Sequence, residues 1–383
     1  MAPLLHARLQ GAGPSGALTA LALVQAGWRV TLVDPQPPDQ LLQRDRAYAL
    51  NHSSARLLID LGLWPDLEPV LTPFRSLELW DRGIHRRVRF TTRDLPASCR
   101  NVAAVGWILQ HRDLMAVLLQ HLNASQRVTL LLGAPPQAGE GMESTPPDLV
   151  VATDGVASPT RTLAGLPWWQ RPYRQACLTA QVQLRGSRDD QAWELFRPEG
   201  PLAVLPLGGG RFQVVWSAST ATCRSLEALA PSAFLDRLAG VLPDQLQPDA
   251  LEDQPRAFPV ALGLAPRLWR GRTVLVGESG HRCHPVGGQG LNLCWRDTTV
   301  LALLAGRAAR GELAVGRLAS AYGRRRRLDL LLTLSATDLL VRLYSNRQPL
   351  LLALRQLAMT LLQRAPGIRR LSLRAMTLGG VPI

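Results

Sequence analysis

RTVLVGESGHRCHPVGGQGLNLCWRD, residues 272–297, is the stretch from which the rest of the chain is read. Thr273, Val274, Leu275 and Val276 form a short apolar run rich in β-branched residues, which predicts a buried strand. Gly277 ends it and the acid Glu278 follows at once. After Pro285 come Gly287, Gly288 and Gly290, then an apolar-periodic run (Leu291, Leu293, Trp295) that predicts a helix starting near Gly290. Glycines there let the backbone lie against a flat ligand where a Cβ would collide. The helix start would aim free N–H groups and the positive end of its dipole at that ligand. A strand-end carboxylate, a glycine loop and a helix N-terminus together suit a ligand with sugar hydroxyls and a ring that becomes anionic, such as a reduced flavin. The competing readings are an ordinary strand–loop–helix connection and a metal site of His281, Cys283, His284 and Cys294. The spacing His-Arg-Cys-His is not a standard zinc pattern and the chain has no CxxC, so no metal is expected.

The same design recurs at the N-terminus. Residues 4–10 predict a strand and Gly11-Ala12-Gly13-Pro14-Ser15-Gly16 matches GxGxxG. The following 17–26 segment is a nearly all-apolar helix closed by Gly27, and residues 29–33 form a second strand ending at Asp34. In that context the glycine turn cradles a pyrophosphate and the acid takes ribose hydroxyls. His6, Arg8 and Gln10 are unusual, because central parallel strands are normally apolar. A third strand, 148–153, again ends in an acid and a glycine, Asp154-Gly155.

Between these motifs, Arg46 either reaches a phosphate or flavin edge or is a solvated loop arginine. Residues 74–92 alternate like a hairpin outside the nucleotide fold, and 108–122 predict a helix with Arg112 near its start. Arg112 is either a phosphate or sugar contact or an exposed helix residue. Residues 128–132 read as a strand and 133–147 as a Pro/Gly-rich loop. From Cys177 the pattern becomes antiparallel, with strands near 180–184, 192–197, 202–207 and 212–218, and leucine-rich helices follow at 328–343 and 350–364.

The 383 residues allow a substantial core and more than one domain, and a mean hydropathy of +0.02 is that of a globular protein. Five cysteines without framework spacing point to reduced thiols in a cytoplasmic compartment, and no secretory signal is recognised. The net charge is +14 and all 43 basic residues are arginine. Aromatics are only 5% and form no stacking platform, so nucleic acid is not the expected partner. A basic surface beside leucine-rich helices suits an anionic lipid surface, with peripheral contact on the inner face of a membrane and the Arg324–Arg327 cluster as its charge.

The chain resembles the class A flavoprotein aromatic hydroxylases, in particular their ubiquinone-biosynthesis branch, over nearly its whole length. GAGPSG with Asp34 resembles the first FAD fingerprint of that family. Residues 148–161 (DLVVATDGVASPTR) resemble its DG motif, and Gly277-Glu278 with HPVGGQGLNL (284–293) its second FAD fingerprint. Residues 200–216 and Arg296-Asp297 add likeness to the branch. Three features depart from the pattern: glutamate for the usual aspartate at 278, the polar first strand, and a 133–147 segment too short for the usual small β-meander.

The resemblance implies an α/β fold: a Rossmann-like FAD-binding domain (1–70, 100–170, 268–325), an inserted antiparallel β substrate domain (71–99, 171–267) and a C-terminal helical segment (326–383). It implies FAD as cofactor and NAD(P)H as donor, the latter without a domain of its own. Reduced flavin and O2 would form a C4a-hydroperoxide that hydroxylates an aromatic ring, a prenylated quinone precursor being the expected substrate. It places FAD against Gly11, Gly13, Gly16, Asp34, Arg46, Arg112, Asp154, Gly155, Gly277, Glu278 and Pro285. Backbone at Gly287, Gly288, Gly290, Leu291 and Asn292 would steady negative charge at the flavin edge. No side chain announces itself as a general base. The alternatives are an FAD-dependent isoprenoid reductase, or a degenerate flavin-binding subunit of a quinone-synthesis assembly.

Overall fold

The computed structural model describes residues 4–99, 102–139 and 145–379. A six-stranded sheet carries the nucleotide-type motifs. Its order is Trp269–Arg270, Thr273–Leu275, Leu149–Ala152, His6–Gln10, Arg29–Asp34, Val128–Leu132, parallel throughout except for the first hairpin. The carboxyl ends of the four central strands therefore open on one edge, which is where ligands bind in such sheets. The Pro14–Gln25 helix starts with proline in its first turn and buries Gly16–Ala20, Ala22 and Leu23. It packs on the Gln289–Ala309 helix, where Thr19 Oγ1 meets Thr298 Oγ1 at 2.8 Å.

The polar first strand has a physical explanation. Ala7 and Leu9 point into the core, while Arg8 and Gln10 face the 133–139 segment. Arg8 Nη2 donates to the carbonyls of Pro136 (2.9 Å) and Ala138 (2.6 Å), and Gln10 Nε2 donates to Pro136 O at 2.9 Å. His6 Nε2 lies 3.0 Å from Thr31 Oγ1. A proline-rich loop brings carbonyls with no ladder partner, and buried carbonyls need donors. The polar strand supplies them, so the two departures at 4–10 and 133–147 belong to one arrangement.

The nine-stranded sheet is antiparallel apart from the parallel pair Gln191–Phe196 and Ser76–Asp81. Its 17-residue strand Trp169–Arg185 breaks register between Pro172 and Ala176, where Arg174 takes φ +55°. A proline that cannot donate to the ladder accounts for the bulge. A third, small sheet of Ala47–Leu50, Gly106–Gln110 and Thr72–Phe74 packs against the Leu202–Gly208 strand and the Gln289–Ala309 helix. The helix expected from 108 begins at His111 instead: Gly106–Gln110 is a strand whose partners are distant in sequence, which periodicity alone cannot see.

Near the C-terminus, Val315–Tyr344 is a single 30-residue helix, so a segment boundary at 325/326 runs through one element. The Arg324–Arg327 cluster is also divided. Arg326 is fully buried, its Nε donating to Asp297 Oδ1 at 2.6 Å, whereas Arg324, Arg325 and Arg327 are exposed. Arg326 is therefore not available to lipid. The Pro349–Arg364 and Pro366–Leu378 helices fold back on the antiparallel sheet, pinned by Arg355 Nε to Asp81 Oδ2 (2.7 Å) and Arg369 Nε to Asp94 Oδ1 (2.7 Å).

Candidate active site

One cavity of about 1660 Å³ runs from the strand ends of the six-stranded sheet, past the glycine loop, to the inner face of the nine-stranded sheet. Single small-molecule pockets span roughly 300–1,000 Å³, so this volume suits a dinucleotide-sized ligand with a second one beside it.

The strand-end half is built by the three glycine–acid motifs. Gly11 takes φ +100°, and a Cβ there would lie 2.5 Å from Thr153 O. Gly16 is buried and does not line the cavity; a Cβ would meet Gly11 O at 1.8 Å, so its role is to close the turn. Gly13 is extended and a Cβ there would project into open space on the cavity side. Asp34 Oδ2 accepts from Ala12 N (2.6 Å) and Oδ1 from Gln36 N (2.8 Å), which fixes the carboxylate at the cavity edge with lone pairs to spare. Asp154 Oδ2 accepts from Thr160 N at 2.9 Å, and Gly155 follows at φ +79°. Glu278 is exposed into the cavity. Gly277 is buried at φ +68°, its N–H donating to Asp297 Oδ2 at 2.8 Å.

Pro285, Gly287, Gly288, Gly290, Leu291 and Asn292 line the middle. Gly287 and Gly288 adopt φ +68° and +62°, and the Gln289–Ala309 helix starts with no side-chain cap. Its first-turn N–H groups have no partner within the helix. Asn292 is a positioning residue. Its Oδ1 accepts from Asn51 N (3.0 Å) and Ser54 Oγ (2.7 Å), and its Nδ2 donates to Ala49 O and Gly288 O (both 2.8 Å).

Of the two arginines considered, Arg46 lines the cavity, its guanidinium 5.5 Å from the centre of the Phe258 ring. Arg112 does not: it is exposed on the outer side of the His111–Ala124 helix. His281 Nε2 meets Asp297 Oδ2 at 2.7 Å, and His284 Nδ1 accepts from Val286 N at 3.1 Å. Burial holds the His284 pKa down at about 4 and pushes the Cys283 thiol up to about 12.

The far half is apolar, walled by Phe74, Leu77, Leu79, Phe90 and Phe196. Two polar side chains in this wall escaped sequence reasoning. Glu194 lies on the Gln191–Phe196 strand with the same parity as Ala192 and Phe196, and burial pushes its carboxyl up to about 7 against an opposing influence of the Gly287 amide. Gln213 donates Nε2 to Ala180 O at 3.1 Å, and its buried Oε1 has no partner. A lone acid inside the otherwise apolar run AWELF was the available signal.

Comparison with known proteins shows the family and the fold. A family described as an FAD binding domain matches residues 9–330. The 3-demethoxyubiquinol 3-hydroxylase of Escherichia coli is 30% identical, covering 95% of this chain and 96% of its own length. Ubiquinone hydroxylase UbiL of Rhodospirillum rubrum is 31% identical, covering 95% and 87%. Among solved structures, p-nitrophenol 4-monooxygenase from Pseudomonas putida DLL-E4 superposes with a TM-score of 0.80 over all of both chains at 20% identity, which is a likeness of fold.

Proposed function

Because the chain belongs to the FAD-binding family of flavin-dependent monooxygenases, we propose that it hydroxylates the ring of a prenylated quinone precursor, with NAD(P)H as electron donor and O2 as co-substrate. One observation carries the reading: a single cavity joins three strand-end acids and an uncapped helix start to an apolar lobe that holds Glu194 and the unpartnered Gln213 Oε1. The residues present fit FAD, since Gly13, Gly287 and Gly290 leave open space where a Cβ would stand.

When bound, FAD supplies the activation of O2, of which one atom enters the ring and the other leaves as water. The chain's own residues do the rest. Gly11, Gly13 and the Pro14–Gln25 helix start bind the pyrophosphate, and Asp34 takes ribose hydroxyls. Asp154 and Gly155 shape the floor, Glu278 holds the ribityl hydroxyls and Arg46 guards the rim. The first-turn amides of Gln289, Gly290 and Leu291 offer hydrogen bonds to negative charge at the flavin edge, whereas Gly288 N donates to Pro285 O at 2.9 Å and the Gly287 amide lies against Glu194. The apolar wall excludes water from the reacting ring.

A peripheral membrane site belongs to the same reading. Leu339 (63% exposed) and Leu340 (37%) line the cavity and also face outward, so a prenyl tail has an apolar way out. Among the described residues no helix is long and apolar enough to cross a membrane. Metabolite analysis of a deletion strain tests the function. Accumulation of a prenylated ring lacking one hydroxyl is expected, and an unchanged quinone pool refutes the assignment.

A further inference from the structure

Glu194 sits mid-row on the cavity face of the nine-stranded sheet. Its cross-strand neighbours are Leu79 and Ala203, and Ala203 in turn pairs with Val215 and Val215 with Thr179. It is 7% exposed, and among the described residues it forms no ion pair. A buried carboxylate without a cation is costly. A sheet position among leucine, alanine and valine gives no folding reason to bear that cost.

Among the described residues, the other carboxylates lining the cavity, Asp34, Asp154 and Glu278, all stand at strand ends of the nucleotide-type sheet. Glu194 is the acid of the opposite wall, and its carboxylate lies against the Gly287 amide in the loop assigned above to the cofactor. A ring held between that loop and the sheet is within its reach. Gln213 adds an unpartnered acceptor on the same wall. A carboxylate met by a single amide, beside a carbonyl oxygen with no partner, on an apolar surface fits a ligand that brings its own O–H groups.

We infer that Glu194 is a catalytic base for a ring hydroxyl of the substrate. The inference rests on the monooxygenase reading above. As the ring is attacked, the hydroxyl O–H bond breaks and its proton moves to the Glu194 carboxylate, which leaves a phenolate whose electrons activate the ring carbon. When that carbon sheds its hydrogen as a proton to water, Glu194 returns the held proton to the ring oxygen. A phenol titrates near 10 and an ordinary carboxylate near 4, and burial narrows that gap by bringing Glu194 to about 7.

The neighbouring groups do not compete for this role. Cys177, on the Trp169–Arg185 strand three places along the sheet, feels both Glu194 and Arg46, and burial pushes its thiol up to about 12. Tyr48, Tyr344 and Cys283 line the cavity and are pushed up by burial, so they stay neutral near pH 7.

The test uses the FAD-loaded full chain with 2-heptylphenol and its methyl ether as probes. Glu194→Gln is expected to keep FAD affinity and to lower kcat on the phenol about a hundredfold or more. The limb of the pH profile near 7 should vanish with it, and Glu194→Asp should restore part of the rate. In the wild type, a protonated-carboxyl infrared band that Glu194→Gln lacks should titrate near pH 7. Equal phenol turnover by wild type and Glu194→Gln, or a Glu194 already ionised well below neutrality, overturns the assignment. A wild type that binds FAD yet turns over neither probe nor any prenylated phenol counts instead against the monooxygenase reading.

Discussion

Glu278 stands exposed at the end of the Thr273–Leu275 strand, lines the cavity, and forms no ion pair among the described residues. Its carboxylate is therefore free to accept hydrogen bonds from a polyol chain. If it holds the ribityl hydroxyls, Glu278→Asp keeps FAD while Glu278→Ala loses a charge-assisted hydrogen bond of about 1.5–3 kcal/mol, roughly a tenfold to hundredfold loss of affinity. Fluorescence titration of the apoprotein with FAD measures this, and equal affinity in wild type and Glu278→Ala would mean the residue serves something else. Strand-end acids such as Glu278, Asp34 and Asp154 are legible in sequence because each follows an apolar run, Glu278 and Asp154 next to a glycine and Asp34 one helix and one strand after GAGPSG. Arg46 and Arg112 are not separable that way. Helix phase turns Arg112 outward while Leu114, Met115 and Leu118 take the core, and phase depends on a start residue that a preceding strand had hidden. Glu194 is marked in sequence only as a lone acid in an apolar run, because its place in the cavity depends on pairing with residues more than a hundred positions earlier.

Beneath the glycine loop the elements are tied by buried charge. Asp297, on the Gln289–Ala309 helix, accepts from Gly277 N (2.8 Å) and Arg326 Nε (2.6 Å) and meets His281 Nε2 (2.7 Å). Arg326 also pairs with Asp329, which lies 3.3 Å from Arg296 Nε. One carboxylate thus links the glycine-loop strand, the helix that follows it and the long Val315–Tyr344 helix. Burial pushes the Asp297 pKa up, but His281 and Arg326 outweigh it and the net shift is downward. A depressed folded pKa stabilises above the unfolded value near 4, and that stabilisation is lost as the pH falls through the folded value. Asp297→Asn should cost about 3–5 kcal/mol at neutral pH, because it leaves Arg326 short of a buried partner. Urea unfolding measures the loss, and the gap from wild type should narrow only below about pH 4. A gap under 1 kcal/mol at neutral pH would make the network ornamental to stability. Arg296-Asp297 was visible in sequence as a likeness to the ubiquinone branch. The third partner was hidden, since Arg326 sits in a run of four arginines and only burial distinguishes it.

At the scale of the whole molecule, arginines and leucines divide between interior and surface along the C-terminal helices. Arg326 and Arg355 are buried in ion pairs, while Arg324, Arg325 and Arg327 remain exposed beside Leu328, Leu331, Leu332 and Leu339. Leu350, Leu354, Leu357, Leu361 and Leu371 on the two following helices are exposed as well. Composition alone pointed to amphipathic helices near a basic cluster, but it could not count how many of those arginines reach solvent. Three do within the cluster, and each arginine near an anionic leaflet contributes about 1 kcal/mol. Reversing them together (Arg324→Glu, Arg325→Glu, Arg327→Glu) should weaken binding to phosphatidylserine vesicles at least a hundredfold. Raised salt should weaken the wild type as well, because screening acts over roughly 8–10 Å. Leu339→Asp with Leu340→Asp should instead weaken binding to anionic and neutral vesicles alike, since it removes apolar contact at the cavity mouth. Co-sedimentation across a salt series reads both effects. Wild-type protein that stays in the supernatant with anionic vesicles at low salt would leave an enzyme that takes its substrate from solution. Binding that survives both high salt and carbonate extraction would mean insertion deeper than these helices provide for.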